Sequence, residues 1–217
     1  SRSDYWSRRY TLSDMLRINR TSDLTLYSAV NNPEPGRLRF IYYQDGTRKV
    51  RDLDVYMSQA VVLPSPTDWD HFSIHETLQF IAYNPIFYDP TPVTTVLSSG
   101  NNNITYGGNW EEYPTLVVNG DATDFAILNV ETGYYMYLDY SISVDETVTF
   151  DLTYGIKTVT NNLGDNLIGY LTPSSNIINF CLRPHPAVPS GINTLNVSYA
   201  AGAPTITMIR YNRYVGI

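Results

Sequence analysis

Leu78-Gln79-Phe80-Ile81-Ala82-Tyr83-Asn84-Pro85-Ile86-Phe87-Tyr88-Asp89-Pro90 is the stretch on which the fold turns. An alternating apolar run, predicted to be a long strand over residues 69–83, ends in a Pro-bounded aromatic corner. A spacer of Thr, Ser, Asn, Gly and Pro follows from Thr91 to Asn109, and a second β-prone segment opens at Tyr113-Pro114-Thr115-Leu116-Val117-Val118-Asn119-Gly120. This order predicts two β modules, residues 1–92 and 113–217, joined by a linker over 93–112.

Outward from that junction, short strands dominate. Arg37–Tyr43 and Thr47–Arg51 flank Gln44-Asp45-Gly46, and Asp-Gly between two β-prone runs predicts a tight hairpin. Asp54–Leu63 is read as a further strand, and Asp23–Tyr27 as another. Leu12, Met15 and Leu16 fall at helical spacing and predict one short helix over residues 10–18, too short to stand without a sheet beneath it. In the second half, 116–118, 125–130, 134–138, 147–152, 156–160, 177–182, 194–199 and 205–209 all read as strands separated by turn residues, the pattern of a sandwich or barrel. The expected class is all-β with one short helix.

Composition narrows the function. At 43% hydrophobic the chain can build a real core. The formal net charge is −7, unevenly spread: residues 1–51 hold ten Lys/Arg against five Asp/Glu, and residues 52–217 hold four against sixteen. An acidic second part argues against nucleic-acid binding, because phosphates need cations. No apolar run approaches the roughly 18–20 residues of a membrane helix. The polar start, Ser1-Arg2-Ser3-Asp4-Tyr5-Trp6, reads as no signal peptide and, without Met, as a processed or trimmed chain. The single cysteine, Cys181, lies in an apolar stretch and reads as a core thiol.

No catalytic or metal motif emerges. His71 and His75 would share a face on a helix, but on a strand four residues part them by roughly 13 Å at about 3.3 Å per residue, beyond what one metal bridges. Asp68 and Asp70, or Glu111 and Glu112, are close in sequence as acids in any acidic loop are. No Gly-x-Ser-x-Gly elbow and no phosphate-binding loop occurs. The expectation is no enzyme, no metal and no cofactor. Two groups of residues are candidate contacts. Arg37, Arg39, Arg48, Lys49 and Arg51 lie around one hairpin with Asp52 and Asp54 just beyond, so alternation along the strands could turn basic groups toward one neighbouring protomer and acidic groups toward the other. Trp110, Tyr113, Tyr134 and Tyr135 border turns, where an aromatic ring can meet a partner subunit or stack on a sugar.

The order of these features resembles the distal tail proteins of bacteriophages with long, non-contractile tails. Arg8-Arg9-Tyr10-Thr11-Leu12-Ser13-Asp14-Met15-Leu16 is similar to the short helix of that family's ring domain. The Asp45-Gly46 hairpin and Asn84-Pro85-Ile86-Phe87-Tyr88-Asp89-Pro90 are similar to the rest of it, with Asn84 where Asp is usual. Tyr113–Ala122, Asn129-Val130-Glu131-Thr132-Gly133, Gly191-Ile192-Asn193-Thr194-Leu195 and the close at Arg210-Tyr211-Asn212-Arg213-Tyr214 resemble the second domain. The resemblance implies a ring-type (belt) β domain, here expected to be incomplete at its N-terminus, followed by a galectin-like β-sandwich. It implies a virion structural protein of a phage or prophage tail, made in the host bacterial cytoplasm. Such a hub joins the tail tube to the baseplate or tip, with neighbouring tail proteins and itself as partners: a closed ring, hexameric if the protein is full length, with this chain monomeric or weakly associated if it is truncated. The alternative is a carbohydrate-binding, lectin-like sandwich with a host cell-surface saccharide as ligand. The compact sugar-binding grouping of galectins is not found, so weak or absent sugar binding is expected.

Overall fold

The computed structural model describes residues 36–57 and 79–216. The expected helix at 10–18, the strand at 23–27, His71, His75, Asp68, Asp70 and most of the strand expected over 69–83 lie outside these residues. The chain divides into two compact units at Pro85/Ile86.

In the first unit, β1 (Gly36–Gln44) and β2 (Thr47–Met57) form the expected antiparallel hairpin, in register from Gly36 opposite Val55 to Gln44 opposite Thr47. Asp45 and Gly46 both have positive φ, 50° and 74°. This backbone matches the right-handed twist of the flanking strands, and Asp and Gly tolerate it best. The runs expected as separate strands from Thr47 and from Asp54 are continuous in β2. Phe80–Ile81 adds a short β3 beside Tyr56 and Met57.

The second unit begins with β4 (Phe87–Tyr88), which pairs with β15 (Arg213–Tyr214) at the chain's close. The stretch expected as a linker over 93–112 instead carries β5 (Val93–Leu97) and β6 (Gly100–Thr105). Its polar composition reflects position rather than flexibility: both strands sit at sheet edges, where alternate residues meet water. Leu97, Ile104 and Tyr106 supply the buried side.

The remaining strands are β7 (Thr115–Asn119), β8 (Ala122–Asn129), β9 (Tyr134–Ile142), β10 (Thr147–Asp151), β11 (Thr158–Asn161), β12 (Ile192–Ser198), β13 (Ala201–Gly202) and β14 (Thr205–Arg210). One sheet runs β11-β10-β7-β14-β5. The other is centred on β8, with β9 on one side and β12 followed by β13 on the other; β6 closes it beyond β12. Both sheets line a single core. Leu116, Val118, Val148, Phe150, Ile206 and Met208 come from the first, and Phe125, Ile127, Met136, Leu138, Leu195 and Val197 from the second. Strict alternation in β7, β10, β12 and β14 aims these residues inward. The rings of Phe125 and Phe150 meet across the core at 5.5 Å between centroids. The unit is thus a two-sheet sandwich, as expected.

β8 departs from simple alternation. Its register with β9 shifts between Thr123 and Phe125, where Asp124 takes φ 56°, a bulge that brings Phe125, Ala126 and Ile127 all into buried positions. Residues 177–182 are not a strand. The Asn179 and Phe180 N–H groups both donate to the Asn176 carbonyl, closing a turn. Phe180, Cys181 and Leu182 are apolar because the turn plugs the core, and a short apolar run does not distinguish a buried turn from a buried strand. Cys181 is the core thiol expected, its pKa pushed up to about 11 by burial.

Candidate interaction surfaces

The hairpin gathers the charged residues differently from the expected split. Arg37 stands opposite Asp54 and Arg39 opposite Asp52, so acids and bases share one face. Arg39 grips Asp52 with two parallel bonds, Nε to Oδ1 at 2.8 Å and an Nη to Oδ2 at 2.9 Å. Arg37 Nε lies 3.9 Å from Asp52 and 3.6 Å from Asp54. Arg48 stands on this same face opposite Tyr43, whereas Lys49 and Arg51 stand on the other, opposite Tyr42 and Phe40. Much of the charge expected to meet neighbouring protomers is therefore compensated within the hairpin.

Asp52 is fully buried beneath the two half-exposed arginines. The bond from Arg39 holds its carboxyl below the ordinary 3.8, against the opposing effect of burial. A depressed pKa stabilises the fold above the unfolded value, and that stability is lost as pH falls through the folded value. Protection factors of the β1 and β2 amides, with the intrinsic pH dependence of exchange divided out, are accordingly expected to fall as pH drops below 3.8. Asp52→Asn should remove the step, and an acid dependence that survives it would count against the pair.

In the second unit the structure unites two of the four candidate aromatics. The Tyr113 hydroxyl donates to Glu111 Oε2 at 3.1 Å, Glu111 Oε1 lies 3.4 Å from Arg183 Nε, and an Arg183 Nη donates to the Tyr134 hydroxyl at 3.0 Å. Burial and the Glu111 charge push the Tyr113 phenol up to about 12. Lys157 caps the Tyr113 ring, its Nζ 3.9 Å from the centroid and donating to the Leu152 carbonyl at 2.6 Å. Burial lowers that ammonium's pKa to about 8. Tyr135 stands on the opposite face of β9 and stacks on Tyr137 at 6.4 Å. Trp110 is 45% exposed and held through its backbone, its carbonyl accepting the Tyr106 hydroxyl at 2.6 Å. The four aromatics do not converge on one concave site. Among the described residues no group of three or more metal-ligating side chains comes together.

A third cluster joins residues far apart in the sequence that no local motif links. Glu112 is buried and receives the Tyr211 N–H at 2.7 Å and a short charged bond from Arg213 Nε. The Tyr106 hydroxyl accepts the Arg213 N–H at 3.0 Å, and an Arg210 Nη donates to the Thr105 carbonyl at 3.0 Å. Asn212 donates to Asp89 at 2.9 Å. Together these bonds latch the closing segment 210–214 onto residues 105–112 and Asp89. Burial pushes the Glu112 carboxyl's pKa up, opposed chiefly by the Arg213 charge. The scarcity of cations was a usable signal. Lys157, Arg183, Arg210 and Arg213 are all the Lys/Arg after residue 52, and each is tied to a carboxylate, carbonyl or aromatic partner.

Residues 107–213, almost the whole latch-to-latch span of the sandwich, match the siphovirus-type tail component, C-terminal domain. This chain belongs to the siphovirus distal tail protein family. It is thus a structural protein of the phage tail, nearly all β. The solved structure of the Dit protein (gp 19.1) of phage SPP1 is similar in fold, with a TM-score of 0.50, 11% identity, and coverage of 85% of this chain and 90% of that one. SPP1 Dit is described as a paradigm of the hub adsorption apparatus in phages infecting Gram-positive bacteria. No curated protein matches the chain.

Proposed function

We propose that this distal tail protein is a hub component that joins the tail tube to the baseplate or tip, built into the virion as a closed ring of six copies. The family match over residues 107–213 carries this reading. The first unit serves as the ring-forming belt and the second as a galectin-like docking module for neighbouring tail proteins. The protein acts by self-association, without catalysis or cofactor, and is made in the host bacterial cytoplasm before assembly.

A closed ring needs each protomer to meet its neighbour through two different patches. The hairpin suits this role because β1 and β2 present a charged face with Arg48 exposed beside the turn and Arg37, Arg39 and Asp54 along it. Rim charges of this kind contribute about 0.2–1 kcal/mol each and mainly set orientation. Exposed apolar residues on the same face, Ile41 and Tyr43, are 54% and 73% exposed and would supply the affinity. Sedimentation velocity at low salt is expected to give a closed hexamer, weakened by Tyr43→Ala and by Arg48→Glu. A strict monomer at high concentration, with any family strands N-terminal to this segment present, would overturn the ring.

A further inference from the structure

Among the described residues, two edges of the sandwich's sheets are covered and the other two pair with no further strand. β11 is covered on its outer side by residues 165–167, through Asn161 N–H to Asp165 O at 3.1 Å and Leu167 N–H to Val159 O at 2.7 Å. β9 is covered by residues 171–176, through Thr172 N–H to Tyr137 O at 3.1 Å and Asn176 N–H to Tyr135 O at 2.7 Å. The opposite edges, β5 and β6, pair only with β14 and β12 among the described residues. Ser98 and Ser99 alone separate them, so the open edges of both sheets start from one corner. Asn102 fixes that corner by accepting the Ser98 N–H at 2.9 Å and donating to the Ser98 carbonyl at 2.8 Å.

Open edges usually carry a charge, a proline or a bulge that blocks pairing with another strand. From Val93 to Thr105 these two strands carry none of the first two and pair in unbroken register, and Thr91 to Trp110 contains no Asp, Glu, Lys or Arg at all. We propose that the β5 and β6 edges pair with the same edges of a second copy of this chain, about a two-fold axis, extending both sheets across the junction.

Charge selects the occupant. Two copies of a chain with net charge −7 repel wherever they meet through acidic surface, and an uncharged strip is what lets identical surfaces approach. The side chains are also self-complementary. Asn101 and Asn103 are exposed on one face of β6, in rows with Asn196 (amide to Asn101 Oδ1, 2.6 Å) and Thr194 (hydroxyl to Asn103 Oδ1, 3.2 Å). Antiparallel pairing of β6 with itself sets Asn101 near Asn103 of the other copy and continues these polar rows. Val96, 66% exposed on β5, adds an apolar contact. This pairing is separate from the hairpin ring: it would join rings, or single chains, in twos.

The test uses the full chain in two charge-swapped forms, Asn101→Lys/Asn103→Lys and Asn101→Asp/Asn103→Asp, followed by sedimentation velocity. Each form alone is expected to lose the doubling step, with association weakened at least about tenfold, and an equimolar mixture to regain it. Regain on mixing cannot come from misfolded protein. Val96→Arg mixed with Val96→Glu repeats the logic on β5. Assembly that is never doubled in the wild type, or doubling that persists in the Lys form alone, would overturn the edge pairing. Loss of the ring on Arg48→Glu with doubling retained would leave it standing.

Discussion

Replacing Glu112 with alanine is expected to destabilise the second unit by about 3–5 kcal/mol, because it breaks a buried ion pair by removing one partner. Arg213 is left with its guanidinium largely enclosed, the Tyr211 N–H loses its acceptor, and the Arg210 charge nearby loses its counterweight. Glu112→Gln should cost less, since it can still accept the Tyr211 N–H. The latch offers an independent check at Gly108. A Cβ there would press into the Tyr106 hydroxyl and lie 2.5 Å from the Arg213 carbonyl oxygen. Gly108→Ala should therefore loosen the same segment without touching a charge. Urea unfolding gives the stability. Hydrogen exchange should locate the loss in residues 210–215 and 105–112 for both Glu112→Ala and Gly108→Ala. Equal stability of wild type and Glu112→Ala would mean that the closing segment is held by β-pairing alone.

Phe150→Ala is expected to cost about 3–5 kcal/mol, the range for deleting a large aromatic side chain from a core that relaxes only in part. Phe150 is fully buried on β10, and its ring meets Phe125 of the facing sheet. The substitution opens a cavity between the sheets rather than at their rim, where neighbours could close in. Phe150→Leu keeps much of the volume and should cost under about 1.5 kcal/mol. The ratio of the two losses, read from urea midpoints at constant slope, reports how tightly the sheets interlock; similar losses would place Phe150 outside the tightly packed centre.

The amino-acid sequence by itself determined what depends on near neighbours along the chain. Asp45-Gly46 dictates the hairpin turn, because few other dipeptides accept two positive φ angles in succession. Alternation in 115–119, 147–151 and 205–210 determines which side chains face the core, since the side-chain period of a strand is two whatever it packs against. Tertiary structure alone decided what depends on partners far along the chain. The polar stretch 91–109 reads as linker because edge strands bury only half their residues, and nothing local says that β14 and β12 lie alongside. Residues 177–182 read as a strand because apolarity records burial, not backbone shape. Glu112 and Arg213 lie about a hundred positions apart, and only the pairing of the chain's close with its middle brings their charges into one buried bond. The same reason governs the hairpin charges: Asp52 and Arg39 follow opposite local patterns of sequence, and it is register across the strands that neutralises one with the other.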